Sequence, residues 1–156
     1  MTPKYTDHYE TIIALVTYLA VCQRYSTTYK KTIDNATATW LADYLNLEEA
    51  EVTIVLDSFR GIFRKSKEQY DGHYRYSLLL RYSLRSYIDP NAQDSSTRLS
   101  NEELFALLDF VSRKASEERE EQRHVDNIRK QNLAMIVAVV CAVIAAASSV
   151  FVVFVR

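Results

Sequence analysis

The sequence predicts a mainly α chain in three parts: a small N-terminal domain, a long charged helix, and a single C-terminal transmembrane helix continuous with it. Three observations carry this. Leu133 to Val155 is a run of 23 residues without a charge, with Ser148 and Ser149 its most polar members. At 1.5 Å per residue it reaches roughly 34 Å, against a hydrocarbon core of about 30 Å. Apolar residues recur at helical spacing through the first ninety positions, and after Pro90 no Gly or Pro interrupts the chain. The resulting divisions are an N-terminal domain (1–88), a linker (89–99), a charged juxtamembrane stalk (100–132) and the membrane helix (133–155).

Tyr9, Ile12, Ile13, Val16, Leu19 and Ala20 form one apolar stripe and predict a first helix of about four turns. The segment from Ser26 to Asn35 is too polar for a helix and suits a short strand around Tyr29 to Ile33. Thr37 or Thr39 can cap a second helix carrying Trp40, Leu41, Tyr44 and Leu45. A third helix follows Asn46 and Leu47. It presents Val52, Val55, Leu56, Phe59 and Phe63, with three acids in its first turn to suit the helix dipole. Two extended runs come next, Ile62 to Gln69 and His73 to Tyr82. Asp71-Gly72 between them is a hairpin-turn signal.

The spacing Ala38-x-x-Leu41-Ala42-x-x-Leu45-x-Leu47, with Val52 and Leu56 beyond it, resembles the winged helix-turn-helix superfamily. The resemblance covers about residues 9–87. It implies three helices and a β-hairpin wing that contains Tyr74-Arg75-Tyr76-Ser77-Leu78. It also implies DNA binding, with the third helix in the major groove.

Charge speaks against that activity. Residues 1–90 hold 11 Lys and Arg and 11 Asp and Glu, and the third helix opens with Glu48, Glu49 and Glu51. Much of the affinity for DNA comes from cations on phosphates, so acids at the helix end that enters the groove are costly. Arg60, Arg64, Lys65 and Lys67 form one basic edge at the start of the wing, a candidate contact for nucleic acid or for a partner. The expectation is a protein-interaction role, with nucleic acid disfavoured.

Ser100 and Glu103 make a capping box that starts a new helix. Its Leu104, Leu107, Leu108 and Val111 form a short apolar face, suited to docking on the N-terminal domain or on another copy. From Arg113 to Lys130 charge dominates. Arg113 with Glu117, Lys114 with Glu118 and Asp126 with Lys130 are spaced to support a solvated stalk helix. Arg119 and His124 have the Arg-x4-His spacing that resembles the motif of HEPN ribonucleases. That likeness would make them a cleavage pair, but the pattern is short and the helical bundle it needs is not apparent.

The whole-chain balance of 19 basic and 20 acidic residues provides no global field to recruit an anionic partner. Cys22 and Cys141 have no metal-like neighbours, and two separated glycines make no phosphate loop. His8 and His73 have no partner at triad spacing. The expectation is therefore no cofactor, no metal and no enzymatic activity. The N-terminus lacks a secretory signal, and Arg129 and Lys130 precede the span while only Arg156 follows it. Together these place the N-terminal domain in the cytosol, on a single-pass membrane protein. Ala134, Ala138, Ala142 and Ala146 repeat every fourth residue, a spacing that lets membrane helices approach closely and self-associate. The function expected is a membrane-tethered interaction module, with membrane lipid, copies of itself and another cytosolic protein as partners. The alternatives are a membrane-perturbing or pore-forming effector of a bacterial toxin or defence system, and a membrane-bound transcription regulator.

Overall fold

The computed structural model describes residues 3–22, 24–26, 31–69, 71–88 and 98–154. It is mainly helical, with two small antiparallel sheets and a long C-terminal helix. In chain order the elements are α1 (Tyr9–Val21), β1 (Arg24–Ser26), β2 (Lys31–Ile33), α2 (Ala38–Leu45), α3 (Glu49–Ser58), β3 (Phe63–Lys65), β4 (Tyr76–Leu78), α4 (Leu79–Ile88) and α5 (Asn101–Phe154). The chain divides into two compact units, Met1–Ser116 and Glu117–Arg156.

In the first unit Ile12, Val16, Leu19 and Ala20 of the predicted α1 stripe are buried, Tyr9 and Ile13 pack against the core, and Leu15, which the stripe did not include, is buried with them. α2 begins at Thr37, whose hydroxyl accepts the Trp40 amide at 3.2 Å, so of the two candidate caps Thr37 is the one used. It ends at Asn46 in the left-handed conformation (φ 54°), which Asn tolerates better than most residues. Leu47 N then donates to Ala42 O at 2.9 Å, and α3 starts two residues later. Leu41 and Ala42 of α2, together with Val52, Val55 and Leu56 of α3, close the core over α1.

β3 pairs with β4 in the register Phe63↔Leu78, Arg64↔Ser77 and Lys65↔Tyr76. The turn residues Asp71 and Gly72 both have positive φ (53° and 78°), the backbone that the Asp-Gly signal predicts. Ala36 bridges to Tyr76, with amide-to-carbonyl bonds of 3.0 and 2.8 Å, and so ties the entry to α2 onto the hairpin.

The structure corrects the sequence reading in three places. The third helix ends at Ser58, so Phe59 is its C-cap and Phe63 opens β3 rather than lying on the helix face. The extended run expected from His73 to Tyr82 ends at Leu78, and α4 takes over from Leu79. The apolar alternation of Tyr74, Tyr76 and Leu78 gives way to three consecutive leucines, and the helix carries Arg81 inward to the end of α1. The single strand expected around Tyr29 to Ile33 is the second arm of a pair. β1 is its partner, in the register Arg24↔Ile33, Tyr25↔Thr32 and Ser26↔Lys31. Residues 27–30 lie outside the described set.

Most of the expected linker, 89–97, lies outside the described residues as well. Its end does not. Leu99 is buried, and its amide donates to Ala20 O at 3.3 Å. Ser100 then caps α5 as its spacing predicts: Ser100 N donates to Glu103 Oε2 at 2.8 Å, and Glu103 N donates to Ser100 Oγ at 3.3 Å. Val111 is in the core of the first unit, and Leu104, Leu107 and Leu108 pack against it. The Tyr9 and Ser112 hydroxyls share a 2.8 Å hydrogen bond. Of the two destinations open to that apolar face, the structure uses the chain's own N-terminal domain. Arg113 reaches back to Asp109 at 2.9 Å.

In the second unit α5 continues, with Arg119 through Cys141 exposed. Among the described residues no helix is long and apolar enough to cross a membrane. Of the expected span, only 133–141 have described side chains.

Candidate interaction surface

Three helices of the N-terminal unit, α1, α2 and α3, have a one-sided charge. α1, α2, α3 and the 46–48 connection carry Glu10, Asp43, Glu48, Glu49, Glu51 and Asp57, and no Lys or Arg. Two of these acids serve the fold. Glu51 accepts Thr11 Oγ1 at 2.6 Å and lies 3.4 Å from His8 Nδ1, pinning α3 to the start of α1. The Thr11 hydroxyl and then the His8 ring hold the Glu51 carboxyl below the usual glutamate range, against the opposing effect of burial. Asp57 accepts Lys65 Nζ at 2.9 and 3.0 Å and the Tyr76 hydroxyl at 3.1 Å.

That second cluster consumes much of the basic edge singled out in the sequence. The Asp57 carboxylate raises the pKa of Lys65, whose ammonium also lies 4.3 Å from the centre of the Tyr74 ring. Burial raises that of the Tyr76 phenol. Arg64 sits 3.6 Å above the Tyr82 ring, and Arg60 Nε donates to Asp57 O at 3.2 Å. Lys67 is exposed. The four cations are neighbours in sequence, but three are turned onto carboxylates, carbonyls and rings of their own domain.

On the outer side of α1 and α2 three aromatic rings cluster. Trp40 and Tyr44, four residues apart on one face of α2, stack at 4.8 Å with planes 14° apart. Tyr18 of α1 meets Trp40 at 5.3 Å and Tyr44 at 4.9 Å. The sequence reading grouped Trp40 and Tyr44 with Leu41 and Leu45 as apolar positions. The structure separates them: Leu41 is in the core and Tyr44 is 63% exposed. Asp43 is exposed on the same outer face. Thr39 Oγ1 donates to Glu49 Oε1 at 2.6 Å, which fixes a second carboxylate beside that turn. The signal for this surface was available in sequence, as an aromatic pair at i,i+4 inside a stretch from 38 to 58 that has no base.

A second feature the sequence did not disclose is Arg81. It is 1% exposed, and its Nη1 donates to Leu19 O and Cys22 O, each at 2.8 Å. Its Nε lies 3.9 Å from Asp34 Oδ2. The guanidinium thus satisfies carbonyls at the C-terminal end of α1, where the helix dipole favours a cation. This role is structural.

Arg119 and His124 are both exposed on α5, five positions apart and so about 140° around the helix. The helix does not bring them onto one face. Ala134 and Ala138 are exposed on α5, and Ala142 and Ala146 lie on the part of α5 whose side chains are outside the described set. Among the described residues no group of His, Cys, Asp and Glu could hold a metal ion. No family model matches this chain, and neither a curated protein nor a solved structure does.

Proposed function

We propose that the chain is a membrane-tethered protein-interaction module. In this reading residues 9–87 form a winged-helix-like head with β3 and β4 as its wing, facing the cytosol. The charged part of α5 is a stalk, and Leu133 to Val155 is the anchor, self-associating through Ala134, Ala138, Ala142 and Ala146. The observation that carries the head's role is its charge layout. The helix that would enter a DNA groove belongs to an all-acidic set, while Lys65, Arg64 and Arg60 of the basic edge are engaged within the domain. Phosphate binding requires cations that can leave their partners at little cost. The exposed Tyr44 ring, stacked on a half-buried Trp40, suits protein recognition, since aromatic rings supply contact area with little side-chain entropy to lose.

The test is fluorescence anisotropy of labelled duplex DNA with the full chain in detergent, over a range of salt concentrations. The expected result is no binding at physiological salt in the range of about 10⁻⁴ to 10⁻⁶ M typical of non-specific binders. Nanomolar binding, lost on changing Arg64 and Lys65 to Glu, would overturn the reading and make the chain a membrane-bound regulator.

A further inference from the structure

Three cations of the head are engaged within it, whereas those at the foot of the stalk are not. Arg123, Arg129 and Lys130 of α5 are exposed, and among the described residues none of them holds a carboxylate. Asp126 and Lys130 have the same i,i+4 spacing as Asp109 and Arg113. The second pair forms, at 2.9 Å, and the first does not. We propose that Arg129 and Lys130 are a contact site for the headgroups of anionic phospholipids. The inference rests on the reading of Leu133 to Val155 as the anchor and names the chemistry of the lipid beside it.

Distance along the helix decides which charges count. At 1.5 Å per residue back from Leu133, Lys130 stands about 4.5 Å and Arg129 about 6 Å above the hydrocarbon. The headgroup layer is about 5–8 Å deep on each side, so both residues are level with lipid phosphates. Asp126 stands at about 10 Å and Arg123 at about 15 Å, beyond one Debye length of about 8 Å. Glu117, Glu118, Glu120 and Glu121 stand at about 18–24 Å, more than two Debye lengths away. These acids leave the field of the two bases at the headgroups intact. Successive helical residues point about 100° apart, so Arg129 and Lys130 reach different lipids.

The same order of charges selects the occupant. A nucleic acid or an acidic protein arriving from the cytosol would have to lie along the stalk, where the four glutamates repel it. Lipid headgroups already surround the helix at the height of the two cations. Every phospholipid offers a phosphate, but a zwitterionic headgroup also carries its own cation and an anionic one does not. Arg129 and Lys130 therefore favour phosphatidylglycerol or phosphatidylserine over phosphatidylcholine.

The test reconstitutes the full-length protein in phosphatidylcholine vesicles with a trace of spin-labelled phosphatidylglycerol or spin-labelled phosphatidylcholine. The motionally restricted fraction of each label gives the preference. Phosphatidylglycerol is expected to be favoured about fivefold, the factor for one basic residue at an anionic surface. Arg129→Gln with Lys130→Gln should bring the ratio to about one, and Arg129→Lys with Lys130→Arg should keep it. Glu120→Gln with Glu121→Gln should leave it unchanged. Salt at about 1 M, where the Debye length is about 3 Å, should lower it, and sodium phosphate should lower it no more than sodium chloride of equal ionic strength. All four positions are exposed, and an unchanged circular dichroism spectrum verifies that the variants fold.

A wild-type ratio of about one, or a ratio that survives the double glutamine variant of the bases, would overturn the proposal. So would a change in the acid variant as large as that in the base variant, or a loss caused by phosphate beyond its ionic strength, which would indicate a site for the free anion. Failure of the anchor reading has a different signature: neither label shows a restricted component, and the protein leaves the vesicles in an alkaline carbonate wash. A restricted component without preference removes the lipid site alone.

Discussion

Replacing Arg81 by Met should be among the most damaging single changes in the N-terminal unit. Methionine keeps much of the volume and removes the cation. Two 2.8 Å bonds from a charged donor to Leu19 O and Cys22 O are lost, each worth about 1.5–3 kcal/mol in such a setting. The Asp34 contact is long at 3.9 Å and adds less, but that buried carboxylate loses its guanidinium neighbour. The total is about 3–5 kcal/mol, the range seen when one partner of a buried pair is removed. Arg81→Lys keeps the charge but not the fork, and should cost less, about 1–2 kcal/mol. The assay is urea unfolding of the full chain in detergent, followed by Trp40 emission, because the sole tryptophan lies in this unit. With a slope of about 1.5–2 kcal/mol per molar, the midpoint for Arg81→Met falls by about 2 M. A midpoint within about 0.3 M of wild type would refute the assignment of Arg81 as the clasp on α1.

Thr11→Val removes the bond that most lowers the Glu51 pKa, and at neutral pH it should cost about 1 kcal/mol. A carboxyl with a depressed folded pKa stabilises above its unfolded value and loses that contribution as pH falls through the folded one. The gap between wild type and Thr11→Val in urea midpoint should therefore close on acidification below the usual glutamate range, and a gap independent of pH would count against the Glu51 role. Ala138→Leu with Ala142→Leu adds bulk at the closest approach of a small-residue helix interface, so the native mass in detergent should fall relative to wild type. Equal masses would remove the alanine repeat as the interface. Arg119→Ala with His124→Ala should leave any RNA cleavage by the preparation unchanged, because the two side chains diverge around α5; loss of cleavage would restore a ribonuclease reading.

The features legible in the sequence are those decided within a few residues. The Thr37 cap, the Ser100–Glu103 box and the Asp71-Gly72 turn depend on side-chain-to-backbone geometry at short range, and each appears where the spacing places it. The apolar stripes of α1 and α3 were legible for the same reason. β1 and α4 were not. Strand β1 exists through its pairing with β2, and the switch from β4 into α4 follows from Arg81 reaching Leu19 O, 62 residues away. For the candidate surface, periodicity identified Trp40 and Tyr44 as apolar but not which way they face. Leu41 and Ala42 are the buried residues of α2, which leaves Trp40 half-buried against the core and the Tyr44 ring outside. The basic edge illustrates the converse: Arg60, Arg64, Lys65 and Lys67 cluster in sequence, while Asp57, eight positions before Lys65, decides that they do not act as one exposed patch.

The tether is the claim on which the whole account depends, and vesicle flotation of the full chain tests it most directly. A 23-residue uncharged span is long enough to cross a bilayer, and insertion of such a helix is effectively irreversible. The full chain should float with phosphatidylcholine vesicles through high salt and an alkaline carbonate wash, and a chain ending at Asn132 should stay at the bottom of the gradient. Release of the full chain by the wash, or equal flotation of the shortened one, would contradict a membrane helix at Leu133 to Val155.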